Sequence, residues 1–119
     1  MSVEDLPGLS PAALRWAAVV ARHEVLSATP IGGGITNTKW VLRLFDGERL
    51  VLRWSDPMRW GLVGREHVRR EVSGCRLLVD STVPVPAVIA ADLDGTSAGG
   101  PADLLSWREG RSRQHITYC

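Results

Sequence analysis

The sequence predicts an α+β domain in which a five-stranded, mostly antiparallel sheet carries one long helix and is preceded by a short one. Three observations predict it. Asp46-Gly47 joins two runs of strand-forming residues and is a strong short-range signal for a tight hairpin. Val68, Val72, Cys75 and Val79 recur at i, i+4, i+7 and i+11, an apolar stripe along an Arg/Glu-rich rod. Pro84 and Pro86 forbid helix beyond that rod, and two further apolar runs follow as strands. Sheet faces and a helix stripe of this kind bury one another most simply as two layers.

Taken in order, Ser10-Pro11 reads as a helix start, with serine as cap and proline at the first helical position. Leu14, Ala17, Ala18 and Ala21 keep helical spacing, so the first helix spans residues 11–23. The first strand runs over 25–31 and ends in Gly32-Gly33-Gly34. The second covers 39–45 and the third 49–54. In the third, Leu50, Leu52 and Trp54 face one way while Val51 and Arg53 face the other. The long helix extends over 62–79. The fourth strand covers 87–91, and Asp94-Gly95 with Gly99-Gly100-Pro101 makes a loose turn before the fifth at 102–107. Residues 1–24 thus form an N-terminal helical segment and 25–110 the main body. The tail over 111–119 lacks periodicity and is expected to be irregular.

Composition excludes several function classes. With 119 residues there is room for one compact domain. A net charge of +1 favours neither nucleic acid nor an anionic membrane surface. Thirteen arginines stand against one lysine, Lys39, but they are scattered among acids, as codon bias would leave them. Cys75 and Cys119 offer no disulfide framework and no metal-ligand spacing, and His23, His67 and His115 form no zinc pattern. The acidic, proline-bearing N-terminus does not read as a signal peptide, and no apolar run is long enough to span a bilayer. A reduced cytoplasm is the expected location.

The residues with chemical promise begin at Gly32-Gly33-Gly34-Ile35-Thr36-Asn37. Glycines at such a turn let backbone N–H groups approach a polyanion, because no Cβ blocks the way. Taken alone, the segment reads first as a hairpin that merely needs glycine to turn. It is not a Walker loop, which needs Gly-Lys-Ser/Thr, nor a dinucleotide fingerprint, which needs a helix after the glycines. In protein kinases a glycine-rich hairpin covers the phosphates, a third-strand cation reaches them, and a helix glutamate orients that cation. Val51 and Arg53 share one strand face here, and Glu71 sits one position from the stripe residue Val72, able to point toward Arg53. Singly, Arg53 reads as a solvated strand cation and Glu71 as a surface acid.

With these in place the sequence resembles the N-terminal lobe of aminoglycoside phosphotransferase-like small-molecule kinases. The resemblance is carried by Gly32 to Asn37, Asp46-Gly47, Leu50-Val51-Leu52-Arg53, Arg70-Glu71, Val83-Pro84-Val85-Pro86 and Leu104 to Arg111, in that order. It implies a protein-kinase-like N-lobe fold. Gly33, Gly34, Thr36 and Asn37 would border the ATP phosphates, Val51 would cover the base, and Arg53 paired with Glu71 would meet phosphate. Backbone groups of Leu105, Ser106 and Trp107 would form the adenine hinge. The family's catalytic and magnesium-binding aspartates lie after that hinge, whereas the last aspartate here is Asp103. The expectation is therefore a nucleotide-binding lobe with no catalytic and no metal-ligating residue, weak or no ATP binding in isolation, and magnesium only with a C-terminal lobe. Its partners would be the nucleotide and a complementary catalytic lobe. The alternative is a non-catalytic interaction module, or a truncated relic, that associates through the orphaned lobe–lobe face.

Overall fold

A computed structural model describes residues 8–31, 37–78, 81, 82 and 86–107. The expectations for Gly32 to Thr36, for Val79, for Val83-Pro84-Val85 and for the tail fall outside them.

Helix α1 (Pro11–Ala21) starts where the cap was read: the Ser10 hydroxyl accepts the Ala13 N–H at 3.2 Å. It stops two residues earlier than expected, because Arg22 turns left-handed at φ 61° and its N–H closes back on Ala18 and Val19. Strands β1 (Val25–Pro30), β2 (Thr38–Leu44) and β3 (Arg49–Trp54) follow as a meander. At the β2–β3 turn Gly47 takes φ 90°, a conformation that needs glycine. The Glu48 N–H donates to Asp46 Oδ1 at 3.0 Å and fixes the register of the pair.

Helix α2 (Pro57–Leu78) begins five residues before the stripe suggested. Its first turn is set by Asp56, whose carboxylate accepts the Met58 N–H at 2.9 Å. Gly61 then breaks the helix at φ 52°, ψ −129°, so the amphipathic rod proper starts at the predicted Leu62. Val68, Val72 and Cys75 are buried along it. Strands β4 (Val88–Asp92) and β5 (Ala102–Ser106) complete a sheet ordered β1-β2-β3-β5-β4 in which every pairing is antiparallel. Placing β5 between β3 and β4 makes β3 and β5 the central strands.

The two faces of the sheet have different covers. On one, Trp40, Leu42, Leu50, Leu52, Ala102 and Leu104 pack with Leu9, Ala13, Leu14 and Ala17 of the α1 region, forming the main core. On the other, Val51 and Leu105 pack with Cys75 of α2, which lies against β4 and β5. The short helix therefore covers the larger apolar face, and the long helix covers the face that carries Arg53. The sequence offered no disulfide framework, whereas Cys75 is disulfide-bonded. Among the described residues no helix is long and apolar enough to cross a membrane.

Candidate functional site

Alternation along three paired strands builds the site. In β2, β3 and β5, Trp40 beside Lys39, Leu52 and Trp54 beside Arg53, and Ala102 and Leu104 beside Asp103 turn into the α1-side core, so these three point to the opposite face. Register makes them a single cross-strand row: Lys39 lies opposite Arg53, and Arg53 opposite Asp103. The next row, Val41, Val51 and Leu105, is apolar.

Arg53 and Asp103 are wholly buried, and the guanidinium is held like a two-pronged fork. Arg53 Nε donates to Asp103 Oδ1 at 2.8 Å and Nη2 donates to Oδ2. The third prong, Nη1, donates to Glu71 Oε2 at 2.6 Å, so the pairing anticipated between Arg53 and Glu71 is made. Asn37 Nδ2 donates to the other glutamate oxygen at 2.9 Å. The Lys39 ammonium stands 3.9 Å from Glu71 Oε2. Two cations and two acids thus share one pocket of charge, with Glu71 as the acid that both cations face.

Burial acts against the charges on Arg53, Asp103 and Lys39. For Arg53 it is outweighed by the hydrogen bonds and charge of Asp103 and then of Glu71, which hold the guanidinium above its ordinary value. Burial pushes the Asp103 carboxyl above its usual range, and the bonds from Arg53 draw it part of the way back. Burial also lowers the Lys39 ammonium below its ordinary value, while Glu71 works to restore it. Exposure is graded across the cluster. The Arg53 and Asp103 side chains are at 0%, Lys39 at 7% and Glu71 at 25%. The cluster therefore opens to solvent at Glu71, with Lys39 buried beside it and the Arg53–Asp103 pair behind them.

Of the residues anticipated from sequence, the structure brings Asn37, Arg53 and Glu71 together, and sets Val51, Leu105 and Trp107 in one apolar group beside them. Val51 is wholly buried there. Ser106 belongs to the sheet: its N–H donates to the Ala87 carbonyl at 2.9 Å, and its hydroxyl accepts the Ala87 N–H at 2.9 Å. Gly33, Gly34 and Thr36 lie outside the described residues. Two members of the cluster went unread. Asp103 was legible as an acid inside an apolar central strand, which must find a cation, and Lys39 as the residue that the Asp46-Gly47 hairpin sets opposite Arg53. Among the described residues no group of three His, Cys, Asp or Glu side chains is placed to hold a metal ion.

A family model described as the phosphotransferase enzyme family matches residues 27–117, which takes in most of β1, all of β2 to β5 and all of α2. The chain belongs to that family. No curated protein matches it. The family assignment accords with the aminoglycoside phosphotransferase-like resemblance, and the five-stranded sheet with its long helix is the architecture expected of a kinase-like N-lobe. Within the phosphotransferase family match, the Arg53–Glu71 ion pair joins the third strand to the long helix.

Proposed function

We propose that this chain is the N-terminal, nucleotide-holding lobe of an aminoglycoside phosphotransferase-like small-molecule kinase, and that it contacts ATP weakly without transferring phosphate by itself. The observation that carries the reading is the Arg53–Glu71 pair on the sheet face opposite α1, in a chain that belongs to a phosphotransferase family. In phosphoryl transfer the protein mainly positions the nucleotide and neutralises its charge, and a strand cation oriented by a helix glutamate serves that purpose. The base would lie toward Val51 and Leu105 and the phosphates toward the charged row. The Ser106 N–H is committed to the Ala87 carbonyl, so in this reading the adenine contacts would fall to the backbone around Trp107.

A residue that abstracts the acceptor proton and residues that bind magnesium are also required for transfer, and this reading assigns neither to the chain. The acceptor would be a small molecule bound elsewhere than on this sheet. The reading is tested by a thermal-shift titration with Mg-ATP, because a ligand that binds only the folded state raises the melting temperature by mass action. A saturable rise supports it. No rise at millimolar Mg-ATP, or turnover of ATP with a phosphorylated acceptor by the purified chain, overturns it in its first or second half respectively.

A further inference from the structure

Four ionisable side chains meet on the α2 side of the sheet, and in their ordinary charge states they cancel. Lys39 and Arg53 are the cations, Glu71 and Asp103 the acids, and a single line of contacts joins them. A strand cation oriented by a helix glutamate needs only one acid, so Asp103 is the additional one. Its hold on Arg53 is also the more complete. Asp103 takes the Nε and Nη2 prongs of the guanidinium, and Glu71 takes Nη1. Arg53 and Asp103 are both at 0% exposure, whereas Glu71 is at 25%, at the mouth of the cluster. A planar fork gripped on two prongs by a buried carboxylate cannot turn toward that mouth without leaving the carboxylate unpaired, which is strongly unfavourable.

An acid placed in this way acts twice on an incoming polyanion. It withholds donors that would fork onto phosphate oxygens, and it cancels positive charge that would draw the phosphates in. Asn37 secures the arrangement from the other end, because its Nδ2 donates to Glu71 Oε1 at 2.9 Å while Arg53 holds Oε2.

We propose that Asp103 is a positioning residue that holds Arg53 within the sheet, leaves the charged row neutral, and so sets the weakness of the contact with ATP. The inference rests on the nucleotide-holding reading above and names the residue that limits phosphate affinity within that site.

Asp103→Asn tests it, since the amide keeps the shape and one acceptor oxygen but removes the charge. The folded variant is expected to bind Mg-ATP about tenfold more tightly than wild type, measured by calorimetric titration. Inorganic triphosphate, which has no base, is expected to gain by a similar factor, and adenosine, which has no phosphate, to bind both proteins alike. A merely structural role for Asp103 would not separate these ligands. Cooperative melting without ligand establishes that the variant is folded. Should it not melt cooperatively, Arg53→Lys with Asp103→Leu carries the test with the same expected gain: leucine fills the buried strand position, and a single ammonium faces Glu71. If wild type binds Mg-ATP and the folded variant binds Mg-ATP and triphosphate no more tightly, or gains equally for adenosine, the role of Asp103 is overturned and the nucleotide-holding reading stands. If neither wild type nor the folded variant binds Mg-ATP at millimolar concentration, both are overturned.

Discussion

Arg53 and Asp103, fifty residues apart in sequence, are direct partners across the two central strands, with Arg53 Nε 2.8 Å from Asp103 Oδ1 and both side chains wholly buried. A buried ion pair is not in itself a large source of stability, because desolvation offsets much of the attraction. Breaking it is a different matter. Arg53→Met leaves the Asp103 carboxylate without its partner and is expected to cost about 3–5 kcal/mol in urea denaturation. Replacing both partners by apolar residues, as Arg53→Met with Asp103→Leu, is expected to recover most of that loss. A single Arg53→Met with unchanged stability would contradict the pairing.

Lys39 is expected to behave in the opposite way. Its folded-state pKa is lowered below the ordinary 10.5, chiefly by burial, so the folded protein binds this proton less readily than the unfolded chain. The stability contributed by the neutral amine is therefore present above 10.5 and lost as pH falls through the lowered folded value. At neutral pH the buried ammonium is a cost, and Lys39→Met is expected to leave stability unchanged or raise it by about 1 kcal/mol. Relative to this variant, wild type is expected to gain stability between neutral and alkaline pH, which urea midpoints at the two conditions would show.

The loop from β4 to β5 depends on a close approach at Gly100. A Cβ there would collide with the Ser55 carbonyl oxygen and lie 2.8 Å from both Pro57 Cδ and Trp54 Nε1. These are backbone, ring and buried indole atoms that cannot swing aside. Gly100→Ala is expected to lower stability by about 2 kcal/mol, read as a fall in the denaturation midpoint. The Ser55 N–H, which donates to the Pro101 carbonyl at 2.9 Å, is expected to lose protection from hydrogen exchange.

Helix α1 carries the cover of the main core, and its cap is a single hydroxyl. Ser10 Oγ accepts the Ala13 N–H at 3.2 Å, and Ala13, Leu14 and Ala17 are buried behind it. Ser10→Ala is expected to cost about 1 kcal/mol, and Ser10→Asp to keep most of the stability, since aspartate caps equally well. Equal stability of wild type and Ser10→Ala would mean that packing alone holds the helix end.

What could be read from sequence was what local chemistry dictates. Strand β3 begins at Arg49 and ends at Trp54 as expected, because the Asp46-Gly47 turn sets one end and Pro57 limits the other. The cap at Ser10 and the Val68-Val72-Cys75 stripe are equally local. The early start of α2 was hidden because the Gly61 break lets a Pro57 turn join a rod whose periodicity starts afterwards. Arg53 and Glu71 were legible as a pair because helix and strand periodicities each point one residue at the other. Asp103 was legible as an acid in need of a cation, but which cation was not, because a strand order that places β5 beside β3 is a tertiary fact that no spacing reveals. Lys39 was passed over as the lone lysine of an arginine-rich chain, although the hairpin register alone places it in the row with Arg53.

If the nucleotide meets the α2-side face of this sheet, methyl-resolved NMR of the wild-type chain titrated with Mg-ATP will show it. Saturable shifts are expected to concentrate in the methyl groups of Val41, Val51 and Leu105, with those of Leu14, Leu42, Leu52 and Leu104 nearly still. Shifts concentrated instead in the second group, on the face covered by α1, would contradict it.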